Sequence, residues 1–156
     1  MSEEREPREG AGDARMLLGR IDVGWRELLD ALNGTPEDRL EEPGACGAWS
    51  AKHLMGHLAF WDARVLGEIE RALAGQPQED VDFQALNDAD QAEREGRVLA
   101  EEREAMRRAH AAVIARLEDV ADTDAARLEQ AIGRHTYEHY AAHAEDIRRW
   151  RQRAGV

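Results

Sequence analysis

Apolar residues recur at helical spacing in four stretches of this chain. The apolar positions of the first stretch, about residues 13–33, are Leu17, Ile21, Trp25, Leu28, Leu29 and Leu32. The second stretch begins after Ser50 and ends near residue 74, and its inward positions are Leu54, His57, Leu58, Trp61, Val65, Ile69 and Leu73. Ser50 is a favourable N-cap residue. Because the apolar positions of each stretch share one face, both stretches predict amphipathic helices that bury that face in a core.

The third and fourth stretches complete the pattern. The third, about residues 85–120, is more polar, and Gly96 marks an interruption in it. The fourth begins near Thr123, and its inward positions are Leu128, Ile132, His135, His139, His143, Ile147 and Trp150. The short connection between these two stretches predicts an antiparallel hairpin. The sequence therefore predicts an all-α fold, a four-helix bundle with long connections after helices one and two.

Composition and charge narrow the class of protein. We expect one bundle domain over residues 13–153 of the 156, preceded by a disordered, charged tail from Met1 to Gly12. The formal net charge of −12 argues against nucleic acid or an anionic membrane as the main partner. No apolar run approaches the roughly 18 residues of a membrane span. The single cysteine, Cys46, is typical of a reducing compartment, so we predict a cytoplasmic protein and leave a homodimer open.

Three histidines are the main candidates for chemistry. His139 and His143 are four residues apart, so they point the same way, one turn apart on the fourth helix. His57 lies on the inward face of the second helix. Three imidazoles that meet in a bundle core predict a mononuclear divalent metal site with open positions, with zinc or nickel favoured and iron as an alternative. The competing interpretation is that these are buried histidines that hydrogen-bond to their neighbours.

Other residues are candidates for supporting roles. His53 and His135 each lie four residues before a predicted ligand and are candidates for contacts behind the ligands or with substrate, whereas Trp61 and Tyr140 are candidates for substrate binding. The pairs His53/His57 and His139/His143 lack the glutamate that follows the first histidine in zinc proteases. No glutamate stands three residues before a histidine, as di-iron bundles require. We interpret Cys46 as a structural or incidental thiol.

Two motifs resemble those of a known family. The segment from Pro43 to Asp62, PGACGAWSAKHLMGHLAFWD, resembles the helix-two signature of the DinB-like superfamily, in particular the branch of mycothiol-dependent maleylpyruvate isomerase N-terminal domains. The segment from His135 to Ile147, HTYEHYAAHAEDI, resembles its last-helix signature. The resemblance implies a four-helix bundle and a divalent metal held by His57, His139 and His143. It also implies a low-molecular-weight thiol, such as mycothiol or bacillithiol, as cosubstrate.

Three functions compete at this point. The resemblance implies a thiol-dependent transferase or isomerase that acts on a small electrophile, in detoxification or resistance. A metal-dependent hydrolase would need the same three ligands. A protein that only binds and sequesters a small toxic compound would use the histidines as polar contacts in a pocket.

Overall fold

The computed structural model describes residues 13–156 and is all-helical over that range. The expected disorder of Met1 to Gly12 lies outside the described residues. The six α-helices of this part of the chain are α1 (Asp13–Asn33), α2 (Ala51–Leu73), α3 (Phe83–Arg94), α4 (Leu99–Glu118), α5 (Ala125–Ile132) and α6 (Tyr137–Ala154). None of them is long and apolar enough to cross a membrane.

The bundle is formed by α1, α2, α4 and α6. The long helix α2 packs mainly against α4, and α1 packs mainly against α6. The predicted hairpin between the third and fourth helical stretches is wrong, because α4 and α6 make few contacts with each other. The short helix α5 packs on α2 and redirects the chain, so that α6 returns along α1.

Two of the predicted helices are each divided in two. The third stretch breaks between α3 and α4, where Gly96 has a φ of 86°, a conformation that favours glycine. The fourth stretch breaks at Gly133–His135, a single 3-10 turn that the sequence pattern did not predict. The Thr136 hydroxyl donates to the Ile132 carbonyl at 2.8 Å across this break. His135 therefore lies in the turn before α6 and not within the helix that carries the other two histidines.

The start of α2 is fixed by a reciprocal cap. The Ser50 side chain accepts a hydrogen bond from the His53 backbone N–H at 3.2 Å, and the His53 ring Nδ1 accepts one from the Ser50 backbone N–H at 3.0 Å. Both contacts satisfy donors that a helix start leaves free. The cap thus sets where α2 begins, and with it the rotation that turns His57 towards α6.

A buried ion network links α3 to α4 beside α2. The Arg94 guanidinium contacts Asp90 at 2.9 Å and Glu102 at 3.1 Å, and all three side chains are largely buried. The Glu102 carboxylate lies against Gly56, where a Cβ atom would come within 1.8 Å of it. Gly56 therefore permits a close approach of α4 beside His57. Removal of one partner from such a network leaves an uncompensated buried charge, which is strongly destabilising.

Candidate metal centre

Three histidine side chains meet between α2 and α6. His139 Nε2 lies 3.0 Å from His57 Nε2 and 3.0 Å from His143 Nε2. These three residues, called the histidine triad below, offer ligand atoms that all lie within 4.8 Å of one another. The structure thus brings together the three residues that the sequence singled out as ligands.

The protons available to the histidine triad cannot satisfy both short contacts. His143 Nδ1 lies 3.0 Å from Asp146 Oδ2, and a carboxylate there favours a proton on Nδ1. His143 Nε2 then carries a lone pair and no proton. The central His139 Nε2 carries either one proton or one lone pair, so it cannot both donate to His143 and accept from His57. A cation placed among the three nitrogens would accept all three lone pairs at once.

Burial keeps the histidine triad neutral. Burial lowers the pKa of His57 to about 3, with a further contribution from the nearby charges of His143 and Arg94. Burial also holds the pKa of His139 well below its usual range and lowers the pKa of His143, although Asp146 opposes the latter shift. The three imidazoles therefore present lone pairs at neutral pH, as metal ligation requires.

The donor set fits a divalent transition metal. Nitrogens bound at about 2.0–2.1 Å to a tetrahedral zinc lie about 3.3 Å from one another, close to the 3.0 Å contacts made by His139 Nε2. Imidazole suits zinc, nickel, copper and iron, and three protein ligands are typical of a catalytic site with a free position. A ligating histidine usually donates its second ring N–H to a neighbouring group. The buried His139 Nδ1 has no such hydrogen-bond partner.

Asp146 and Cys46 lie beside His143; the sequence did not point to Asp146, and it indicated only a structural or incidental role for Cys46. The Cys46 thiol, His143 and Asp146 offer ligand atoms within 4.8 Å of one another. Burial raises the pKa of the Cys46 thiol, and the neighbouring Asp146 charge adds to that effect, which favours the protonated thiol. The only sequence signal for Asp146 was its spacing of three residues after His143 on one helix.

A second polar cluster is buried next to the histidine triad. The Tyr140 hydroxyl donates to Asp62 Oδ2 at 2.6 Å and lies 3.0 Å from His110 Nδ1. The His110 ring stacks on Trp25 with centroids 3.8 Å apart. Burial raises the pKa of Asp62 to about 7 and lowers that of His110 to about 4. We call Asp62, Tyr140 and His110 the aspartate–tyrosine cluster; the sequence pointed to Tyr140 as a substrate contact, but its side chain is fully buried.

Of the other predicted site residues, His53 and Trp61 lie on α2, one turn before and one turn after His57, and His135 lies in the turn before α6. The His53 ring is engaged in the cap of α2. The His135 ring stacks on Trp61 with centroids 5.9 Å apart, and Phe83, which the sequence analysis did not assign to the site, lies 5.2 Å from Trp61. The Trp61 indole N–H donates to Asn87 Oδ1 at 2.7 Å, which fixes the orientation of its ring.

Cavities lie on both sides of the histidine triad along α2. On one side, a cavity of about 380 Å³ is lined by Trp49, His53 and Arg94, and the Trp49 ring also contacts the His57 ring, with centroids 4.9 Å apart. On the other side, a cleft of about 1080 Å³ is lined by His135, Phe83 and the loop that follows α2. Small-molecule sites commonly have volumes of about 300–1,000 Å³.

The fold and the site together define a helical bundle with a three-histidine centre, and the comparisons with known proteins place it more closely. The sequence model of the DinB superfamily matches residues 20–146, so this chain belongs to the DinB superfamily. An uncharacterised protein from Escherichia coli UTI89 has a similar crystal structure, with a TM-score of 0.73 and 15% sequence identity, covering 92% of this chain and 95% of that one. At that identity the likeness shows the fold alone. A comparison with curated proteins finds no match.

Proposed function

We propose that this protein binds one divalent metal ion through His57, His139 and His143. The observation that carries the proposal is the convergence of three neutral imidazole nitrogens, two of them 3.0 Å from the central His139 Nε2. If these residues served only in packing, each buried ring nitrogen should have a hydrogen-bond partner, as buried polar groups usually do. Zinc and nickel are the favoured ions, and iron is the alternative.

The proposed activity is thiol-dependent transfer or isomerisation of a small electrophile. Two features support it. Three neutral ligands leave the metal centre with net positive charge, which favours an anionic thiolate. The cavities on either side of the histidine triad offer room for two substrates, the more polar one lined by Lys52 and Arg94 and the more aromatic one lined by Phe83 and His135. A hydrolase would need space for only one substrate and water.

The chemistry divides between the ion and the chain. When bound, a divalent metal lowers the pKa of a thiol so that it reacts as a thiolate at neutral pH. In a transfer reaction the thiol loses its proton to solvent, a sulfur–carbon bond forms, and the bond between that carbon and its leaving group breaks with its electron pair. The chain's part is to hold three lone pairs in place, with Asp146 fixing the tautomer of His143.

The first experiment measures metal content. We expect about one equivalent of metal per chain by elemental analysis, loss of nearly all of it in His139→Ala, and full retention in His53→Ala, whose ring belongs to the cap of α2. Stoichiometric metal in the triple alanine variant of the histidine triad would overturn the assignment.

The second experiment measures turnover. Metal-loaded protein is offered mycothiol, bacillithiol or glutathione with an epoxide, a haloalkane or maleylpyruvate. Product formation that needs metal, thiol and His57 together supports the proposed reaction. Tight binding of an unchanged compound without turnover, with every thiol, would favour sequestration. Turnover that needs metal but no thiol would favour hydrolysis.

A further inference from the structure

Three aromatic rings lie together about one helical turn along α2 from the histidine triad. Trp61 follows His57 by four residues, which is about 6 Å along α2. The Trp61 and His135 rings are stacked at an interplanar angle of 11°, and Phe83 lies over both, at 34° to Trp61 and 23° to His135. We call Trp61, Phe83 and His135 the ring platform. Trp61 continues the face of α2 that carries His57, and His135 lies in the turn before α6, four residues ahead of His139.

Two of the three members of the ring platform form one wall of the large cleft. Phe83 and His135 line this cleft of about 1080 Å³, whose opposite side is the loop after α2 together with α5. The loop is tied to α5 by a hydrogen bond from the Gln78 side chain to the Ala131 carbonyl. Phe83 is one of the few large apolar side chains exposed in the described part of the chain, at 51%. An exposed aromatic wall suits a flat, apolar ligand, because aromatic rings prefer offset or edge-on contact with one another.

The charges that line the cleft balance, two arginines against two carboxylates, but its ion pairs leave one guanidinium free for an anion. Its charged lining residues are Arg127, Arg134, Glu79 and Asp80. The Glu79 carboxylate is already paired with Arg64 at 3.0 Å. Two guanidinium groups then remain for the single carboxylate of Asp80. Within the part of the chain that the structure describes, Arg134 makes no ion pair, and its planar guanidinium matches a carboxylate in shape.

From these contacts we propose that the cleft binds a planar aromatic carboxylate. Its ring lies on Phe83 and His135, and its carboxylate pairs with Arg134. This inference names the substrate class for the proposed function and rests on that function for the reaction. Binding in the cleft itself needs neither metal nor thiol.

The test is calorimetric titration of the full chain with 2-naphthoate and with its neutral analogue 2-naphthylmethanol. We expect 2-naphthoate to bind about tenfold more tightly than the alcohol. Arg134→Gln should remove most of that difference and leave the alcohol unchanged. Phe83→Ala should weaken both ligands several-fold. The Trp61 indole N–H resonance should shift on titration, which places the ligand at the ring platform.

Matched controls come from exposed positions away from the cleft. Val98 is an exposed apolar residue, at 56%, and Arg108 is an exposed arginine, so Val98→Ala and Arg108→Gln should leave both affinities unchanged. Equal affinity for the acid and the alcohol, or an unchanged acid affinity in Arg134→Gln, would overturn the inference. All titrations are done on metal-free and zinc-loaded protein. If the metal assignment fails, the protein binds no zinc. If this inference fails, neither the metal-free nor the zinc-loaded protein prefers 2-naphthoate to the alcohol.

Discussion

Two polar clusters are buried where α2 meets α6, and they differ in how their hydrogen-bonding atoms are satisfied. In the aspartate–tyrosine cluster the Tyr140 hydroxyl donates to Asp62 and faces a ring nitrogen of His110. One hydroxyl has both a donor and an acceptor function, so it can serve both neighbours. In the histidine triad the central atom, His139 Nε2, also has two neighbours but only one proton or one lone pair with which to meet them.

This difference separates a structural cluster from a ligand-binding one. Burial alone does not distinguish the two clusters, because Asp62 and Tyr140 are fully buried while His57 is slightly exposed. Buried atoms without a hydrogen-bond partner do not distinguish the clusters either, since each cluster has one, Asp62 Oδ1 and His139 Nδ1. What distinguishes the histidine triad is that several neutral acceptors converge on one point, where a single cation would satisfy them together.

The largest expected effect concerns Asp62. Burial raises its pKa from the ordinary value of 3.8 to about 7, so between those pH values the native state holds a proton that the unfolded state has lost. The stability of the native protein therefore falls as pH rises from about 4 to about 7. Asp62→Asn removes this titration but keeps an oxygen that accepts from Tyr140. Relative to the wild type, this variant should gain up to about 4 kcal/mol of unfolding free energy across that range.

Urea unfolding of metal-free protein at several pH values measures this difference. The titrations of the histidines, which lower stability at acid pH, are common to both proteins and largely cancel in the comparison. Asp30→Asn, the same change at an exposed position, is the control for the loss of one carboxylate. A constant offset between Asp62→Asn and wild type at every pH would show that Asp62 ionises normally in the fold.

Metal addition should stabilise the protein through the histidine triad alone. A ligand that binds only the native state adds about 2.7 kcal/mol at a free concentration of one hundred times its Kd. Zinc should raise the unfolding free energy by that amount in wild type and in His110→Ala, which alters the other cluster. It should add nothing in His139→Ala. A zinc response that survives in His139→Ala would place the ion elsewhere.

Tyr140→Phe tests the aspartate–tyrosine cluster from its centre. The change removes the hydroxyl that lies 2.6 Å from Asp62 Oδ2 and 3.0 Å from His110 Nδ1, so two buried polar atoms lose their partner. We expect a loss of about 2 kcal/mol in unfolding free energy, with metal stoichiometry unchanged. Tyr137→Phe is the matched control, since its hydroxyl donates to the half-exposed Glu129 and should cost less. A loss of bound metal in Tyr140→Phe would show that the two clusters are one unit.

The sequence predicted the histidine triad because its members lie on two apolar helical faces, where a 3.6-residue period applies. The same reasoning failed at Gly133–His135, because that break depends on packing from elsewhere: a Cβ atom on Gly24 of α1 would lie 2.8 Å from the Tyr137 carbonyl oxygen. Asp62 was missed for a similar reason. Its partner, Tyr140, is 78 residues away, and nothing local marks a buried carboxyl. The match to the DinB superfamily confirmed the family and the all-helical fold, while the mycothiol isomerase branch stays a prediction.

The smallest expected effect lies at the edge of the histidine triad, where Asp146 contacts His143 Nδ1 at 3.0 Å. Carboxylates behind ligating histidines typically contribute tenfold to a hundredfold in metal affinity. The Asp146 side chain is about one-third exposed, at 35%, so its electrostatic effect is screened by solvent, and we expect Asp146→Ala to weaken zinc binding by only about tenfold. Competition with a coloured chelator measures the change.

The adjacent Glu145 pairs with Arg149 at 3.0 Å, so Glu145→Ala is the control and should leave zinc affinity unchanged. Cys46→Ser should behave like that control, because the Cys46 thiol lies beside His143 and is not a member of the histidine triad. If Asp146→Ala binds zinc as tightly as wild type, the orientation of His143 is set by packing alone, and the contrast between the two clusters rests on the three imidazoles only.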